Sequence, residues 1–280
     1  MSQFIAYDFM FDGIPSQRFD LKIITFEDGS LFDGVGSTSV EIITQRVLRK
    51  SVPYYLGRTQ EPVLEFEITF GTASPISGME RSIISAWLFG RAGYKNLTIL
   101  QDDLNGAYFK CFLKDPVPLY IGGLNYAFKC TVVCDSPWAY APEKVFSGTA
   151  IKKESTGVQF TIYNDSNEDE YLYPLVYFEV GEPTNPFPTQ IVWFINLTDY
   201  GYDRIFNWNY LTEGNKITVD NDLQIVTGVY TIGGLPIPNV LSKFTSKNWF
   251  RLRPKQNDIA IYGSLNYYEI SFTERLKIGG

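Results

Sequence analysis

Histidine is absent from the 280 residues. Its absence excludes Ser-His-Asp and Cys-His nucleophile systems, imidazole proton shuttles and most zinc sites. Cysteine is scarce, at three residues. Cys130 and Cys134 lie four apart in one expected strand, about 13 Å between Cα atoms, which is too far to bridge. Cys111 facing Cys130 across a strand pair is the alternative to that, with a reduced pair of small core residues expected. The spacing is not that of a metal cluster, so neither metal nor cofactor is expected. Charged residues are only 20% of the chain, too few for a disordered or coiled-coil class. No run approaches the ~18 apolar residues of a spanning helix. Met1-Ser2-Gln3-Phe4 carries no basic n-region and no small-residue cleavage site, so a soluble chain made in the cytosol is expected, without membrane association.

Positive charge is in deficit in both halves of the chain. Lys plus Arg is 24 and Asp plus Glu is 31, a net of −7. Residues 1–140 hold 12 basic and 15 acidic side chains, and residues 141–280 hold 12 and 16. Neither half has the basic excess of a duplex-binding protein, so no sequence-specific nucleic-acid binding is expected.

Apolar and aromatic side chains are plentiful: 45% hydrophobic, with 21 Phe, 19 Tyr and 5 Trp. They alternate by twos. Leu64, Phe66, Ile68 and Phe70 interleave with Glu65, Glu67 and Thr69, the pattern of a half-buried strand. Phe128, Cys130, Val132 and Cys134 repeat it, as do Val158, Phe160 and Ile162, and then Ile259 and Ile261. Enrichment in Tyr, Phe, Val, Ile and Thr agrees with a mainly β fold. One segment departs. Ser77-Gly78-Met79-Glu80 has the form of a capping box, and Met79, Ile83, Ile84, Trp87 and Leu88 follow at helical spacing, with Gly93 as a stop. The spacing predicts one amphipathic helix over about 78–91, lying on a sheet. Ser136-Pro137-Trp138-Ala139-Tyr140-Ala141-Pro142 closes a first block, giving domains 1–142 and 143–280. The second block has short strands between turns, as in a sandwich or jelly roll.

Few residues point to chemistry. Asp165-Ser166-Asn167-Glu168-Asp169 opens like a calcium loop, but Glu170 stands where such a loop needs Gly and Val176 where it needs a carboxylate. A solvated hairpin turn is expected there. Asp102-Asp103 and Asp220-Asn221-Asp222 are expected turns closed by Asx chemistry. Glycoside hydrolysis needs only two carboxylates, and sequence selects no pair among 31. The glycines at 34, 36, 233 and 234 lack the following helix of a phosphate loop. No enzyme is expected. Trp193, Trp208 and Tyr210 in the second block are candidate contacts for a peripheral partner or a glycan. The alternative is that they fill the space between two sheets.

The run from Phe9-Met10-Phe11-Asp12-Gly13-Ile14-Pro15 through Phe19-Asp20-Leu21-Lys22 resembles the opening of distal tail (Dit) proteins of long-tailed, siphovirus-type bacteriophages. Asp20 stands where that family usually has Gly. The helix with Ala86-Trp87-Leu88, the strand after Gly93-Tyr94, Tyr108, and Phe128-Lys129-Cys130 through Tyr140 are similar to its next landmarks. Tyr173-Pro174-Leu175-Val176, Ile217-Thr218-Val219-Asp220 and Arg253-Pro254-Lys255-Gln256-Asn257 are similar to three landmarks of its second domain, with Lys255 in place of Gly.

This resemblance implies a structural virion protein of the tail tip, made in the host bacterial cytoplasm. Six copies would form a ring through the first domain, joining the tail tube protein to the hub or tail-associated protein of the baseplate. The second domain would be a galectin-like jelly-roll sandwich, offering a peripheral dock to receptor-binding or side-fibre proteins. The genome would pass through the ring, and an acidic lumen would repel it. The expected subunit interface is an edge strand carrying Phe4, Tyr7, Phe9 and Phe11, which would pair with a neighbour. A carbohydrate-binding module contacting the host surface is the alternative function.

Overall fold

The computed structural model describes residues 5–25, 40–46, 52–60, 63–104, 106–151, 157–183, 189–199, 205–232, 235–237, 240–246 and 248–277. The fold is mainly β. The first strands are β1 (Ile5–Tyr7), β2 (Phe9–Phe11), β3 (Ile14–Pro15), β4 (Lys22–Thr25), β5 (Val40–Gln45), β6 (Tyr54–Gln60) and β7 (Glu65–Gly71). Helix α1 (Gly78–Leu88) precedes β8 (Lys95–Ile99), β9 (Tyr108–Ile121), β10 (Leu124–Cys134) and β11 (Ala139–Tyr140). Then come β12 (Lys144–Ile151), β13 (Val158–Asn164), β14 (Leu175–Val180), β15 (Gln190–Asn196), β16 (Phe206–Leu211), β17 (Lys216–Asp220), β18 (Ile225–Ile232) and β19 (Leu235–Ile237). The last are β20 (Lys255–Tyr262), β21 (Leu265–Phe272) and β22 (Arg275–Leu276).

Two compact units result: Met1–Pro142 with Arg275–Gly280, and Glu143–Glu274. In the first unit the antiparallel order is β1-β4-β7-β10-β9-β8-β2-β3. The alternation in β7 and β10 becomes register. Phe70 lies opposite Phe128, Ile68 opposite Cys130 and Phe66 opposite Val132, all buried on one face. Lys129 Nζ meets Glu67 on the other face at 2.7 Å. The turn from β9 to β10 is Gly122-Gly123 at φ +59° and +83°, the left-handed pair that a two-residue hairpin requires. Cys111 lies opposite Cys134, not Cys130 as considered above, because β9 and β10 are joined by this turn. All three thiols are free and buried.

Helix α1 starts on the expected capping box: Glu80 N donates to Ser77 Oγ, and Ser77 N donates to the Glu80 carboxylate. It ends at Leu88, three residues before the sequence predicts. Its buried stripe is narrower than expected and consists of Ile84, Trp87 and Leu88. Met79 and Ile83, read as part of that stripe, are 78% and 50% exposed. Trp87 anchors the helix: its Nε1 donates to the Phe11 carbonyl at 3.1 Å, and its ring packs on Phe9 and Phe19. The final strand β22 pairs with β11, and Leu276 packs on the first unit's core. The chain's end, expected in the second domain, thus belongs to the first unit.

The second unit is a sandwich. One sheet has the order β12-β21-β14-β17-β18-β19 and the other β13-β20-β15-β16. Val176, Phe178, Ile217 and Ile270 from the first meet Ile162, Phe194, Trp208 and Ile259 from the second in one core. Residues 165–174 lead from the four-stranded sheet to the six-stranded sheet, so they are not the expected hairpin turn, and Glu168 is buried there. Asp220 Oδ1 accepts from the backbone N–H groups of Asp222 and Leu223, which is the expected Asx turn.

Asp20 and Lys255, the two departures from the family's glycines, adopt φ +50° and +73°. That region suits glycine and strains most other residues. Both positions therefore hold a backbone conformation that glycine would adopt without strain. At Lys255 the conformation is held by Asn257. Asn257 Oδ1 accepts from Arg253 N, and its Nδ2 donates to the carbonyls of Arg253 and Lys255.

Candidate functional site

The sequence expects an interface on one strand from Phe4 to Phe11. The structure divides that stretch at Asp8. Asp8 accepts from Gln17 and lies 3.6 Å from Lys22. Phe4 lies outside the described residues. Strand β1 is at one end of the sheet, paired with β4, and Tyr7 is half-buried against the core. Strand β2 sits between β8 and β3. Phe9 and Phe11 are core residues with essentially no exposed surface, so they are corrected from interface to core. The reason is period: two residues apart, they face the same way and meet Trp87 and Phe70.

The second expected group also separates. Trp208 is 0% exposed between Phe178, Phe206 and Phe244, so it fills the sandwich. Trp193 is half-buried, beside Tyr262 and opposite Asn207. Tyr210 is 68% exposed at φ +59°, with the Lys243 ammonium 5.7 Å above its ring. An aromatic cluster for sugar stacking therefore loses its central member. Among the described residues, no group of three or more Cys, Asp or Glu side chains gathers as a metal site.

Two surfaces of the first unit were not anticipated. Among the described residues, strands β5 and β6 pair only with each other, as a two-stranded arm. Ile42 and Leu56 are 62% and 60% exposed, and Ile43, Val52 and Tyr54 are exposed too. Ile42 and Ile43 are consecutive and so point to opposite faces. Two strands do not form a stable sheet alone, and apolar side chains on both faces of one call for cover. The sequence did hold a signal. Residues 40–60 carry four Lys or Arg against one Glu, net +3 in a chain of −7.

The other surface is a cleft of about 340 Å³ between Phe19 and the start of α1. Phe19, Ile76 and Ile84 supply its apolar lining, and Asp20, Ser74 and Glu80 are among its polar walls. The Glu80 carboxyl lies below the usual carboxylate range because the Ser77 backbone N–H donates to it. The cleft is at the small end of ligand pockets, which run from about 300 Å³.

Residues 4–136 match the family described as phage tail protein N-terminal domain. No curated protein matches the chain. The Dit protein of phage SPP1, described as a paradigm of the hub adsorption apparatus in Gram-positive-infecting phages, is similar in fold. Its TM-score is 0.63 at 13% identity, over 96% of this chain and 98% of that one. A chain of the phage P2 baseplate, in its activated conformation with calcium, is similar at a TM-score of 0.52 and 10% identity, over 98% of this chain and 100% of that one. The segment 4–136 thus matches a phage tail protein N-terminal domain, and the chain shares the fold of the SPP1 Dit protein.

Proposed function

We propose that this protein is a non-enzymatic ring adaptor at the tail tip. Six copies close into a ring through the first unit, between the tail tube protein and the hub of the baseplate. The second unit, Glu143–Glu274, is the peripheral dock for receptor-binding or side-fibre proteins. It has the two-sheet build of a galectin-like domain. The observation that carries this reading is the β5–β6 arm, which exposes apolar side chains on both faces. Each of those side chains gains roughly 1.5–3 kcal/mol when fully buried, before the cost of association. A ring needs a heterologous interface, in which one surface of each copy meets a different surface of the next. The full likeness in length to the SPP1 Dit protein supports the same architecture.

Light scattering after size exclusion, with negative-stain microscopy, tests the reading. A species of six times the 31.9 kDa chain, seen as a ring, is expected. A monomer at every concentration, with no ring in reconstituted tail tips, would refute it.

A further inference from the structure

We propose that Cys111 and Cys134 form an oxidation site, a dithiol on neighbouring strands of the first unit that closes to an intrachain disulfide. The register of β9 and β10 sets the two residues directly opposite each other, so their side chains leave the sheet on the same face. Both residues are buried and both thiols are free. Hydrogen bonds fix the kind of rung they occupy. One residue further along, Asp135 N donates to the Lys110 carbonyl at 2.8 Å, whereas Cys134 N turns the other way, to the Leu64 carbonyl at 2.9 Å. Cys111 and Cys134 are therefore a non-hydrogen-bonded pair, in which the Cα atoms approach to about 4.5 Å. A disulfide spans about 4.4–6.8 Å between Cα atoms, so this rung can be bridged with little movement of the backbone. Cys130 is placed differently. It lies opposite Ile68 of β7, and four residues along the same strand from Cys134.

Burial governs when the bond forms. Away from water the Cys134 thiol is pushed up to about 12, and the Cys111 thiol is raised as well, by burial and then by the neighbouring Cys134. The thiolate is the attacking species, so the closed core resists oxidation. Cys134 is also the last residue of β10, and local opening is easiest where elements end. Opening of that rung admits a small-molecule disulfide. One cysteine loses its proton and attacks it, forming a mixed disulfide and releasing one small thiol. The second cysteine then displaces the other small thiol, so two cysteines are oxidised as one disulfide reagent is reduced to two thiols. Oxidising surroundings, where disulfides persist, are what a virion protein meets outside the cell. The site stands on the strand register alone and does not depend on the ring reading.

Incubation of the full-length protein with oxidised glutathione tests the site, with thiols counted in denaturant and the bond located by peptide mapping. The three thiols of the chain are expected to fall to one, with Cys111 and Cys134 joined within a single chain, and dithiothreitol is expected to restore all three. Cys130→Ala is expected to leave the linkage intact and Cys134→Ala to abolish it. The first unit of the oxidised protein is expected to melt roughly 5–10 °C higher, because the cross-link restricts the unfolded chain. Three thiols persisting even in urea just below the unfolding transition would overturn the proposal. So would a bond to Cys130, a link between chains, or a glutathione adduct that does not resolve. A lower melting temperature on oxidation would overturn it too, because the rung would then accept the bond only by distortion.

Discussion

Lys255→Gly is expected to stabilise the second unit. Lys255 is exposed and sits at φ +73°, at the start of β20. The left-handed region costs a residue with a Cβ about 1–2 kcal/mol. Glycine escapes that cost but loses about 0.5–1 kcal/mol to greater freedom in the unfolded chain. The net gain is about 0.5–1 kcal/mol. With a urea slope of about 2 kcal/mol per molar, the midpoint rises by roughly 0.3–0.5 M. Burial of Trp208 in that core makes tryptophan emission a suitable probe. Lys255→Ala separates the causes, since alanine keeps the Cβ and loses only the exposed stem. It is expected to leave the midpoint within about 0.2 M of the parent. A gain from alanine equal to that from glycine would refute the backbone argument. So would a loss from glycine.

Three more outcomes follow from the same structure. Asn257→Ala removes a fully buried amide that binds Arg253, Lys255 and Asn196; at about 1–3 kcal/mol for each orphaned group, a loss of about 3 kcal/mol is expected in urea unfolding, and a loss under 1 kcal/mol would show the network to be dispensable. Deleting Arg275–Gly280 strips β22 from β11, removing Leu276 from the first unit's core and Arg275 from the Trp138 ring. Partial burial of one leucine is worth about 1–2 kcal/mol, so the first unit is expected to melt several degrees lower while the second is unchanged, and an unaltered melt would count against the pairing. Burial pushes the hydroxyls of Tyr140 and Tyr177 up to about 12, with Glu179 adding to the shift at Tyr177. Because their folded values exceed the unfolded value near 10, their contribution is complete below pH 10 and is lost as pH rises towards 12; Tyr177→Phe is expected to flatten that alkaline decline, and an unchanged slope would argue against it.

Local features were legible in the sequence. The capping box at Ser77 and the alternation of β7 and β10 depend on residues within a few positions of each other. What depends on distant pairing was not. Phe9 and Phe11 look like any edge strand until β8 is placed on one side of them and β3 on the other. Trp193 and Trp208 are both aromatic residues in strands, yet only the stacking of two sheets sends one into the core and leaves the other half-buried. The six-stranded sheet places β14 beside β21, about ninety residues later, and no local pattern encodes that. The closing pair β11–β22 is equally remote. Met79 and Ile83 have helical spacing but lie on the flank of α1 away from its buried stripe, which only the helix's final orientation decides. The arm is a different case. Residues 40–60 hold four Lys or Arg against one Glu, but charge alone does not tell a hairpin from a solvated loop.

The edge of β9 shows how the first unit's sheet is kept from pairing with further strands. Beyond Cys111, β9 runs on from Phe112 to Ile121 with β10 as its one strand neighbour among the described residues. Ten residues of free edge would invite pairing with another chain. Pro116 and Pro118 lie within it and have no N–H to give to a ladder. Asp115, just before them, adopts φ +55°, and the register with β10 shifts there, so the edge is bent as well as depleted of donors. At the β1 end of the sheet the described edge strand is three residues long. The long edge of β9 is thus closed to strand addition by its own prolines and its bend, so a contact made there would rest on side chains and would not continue the sheet.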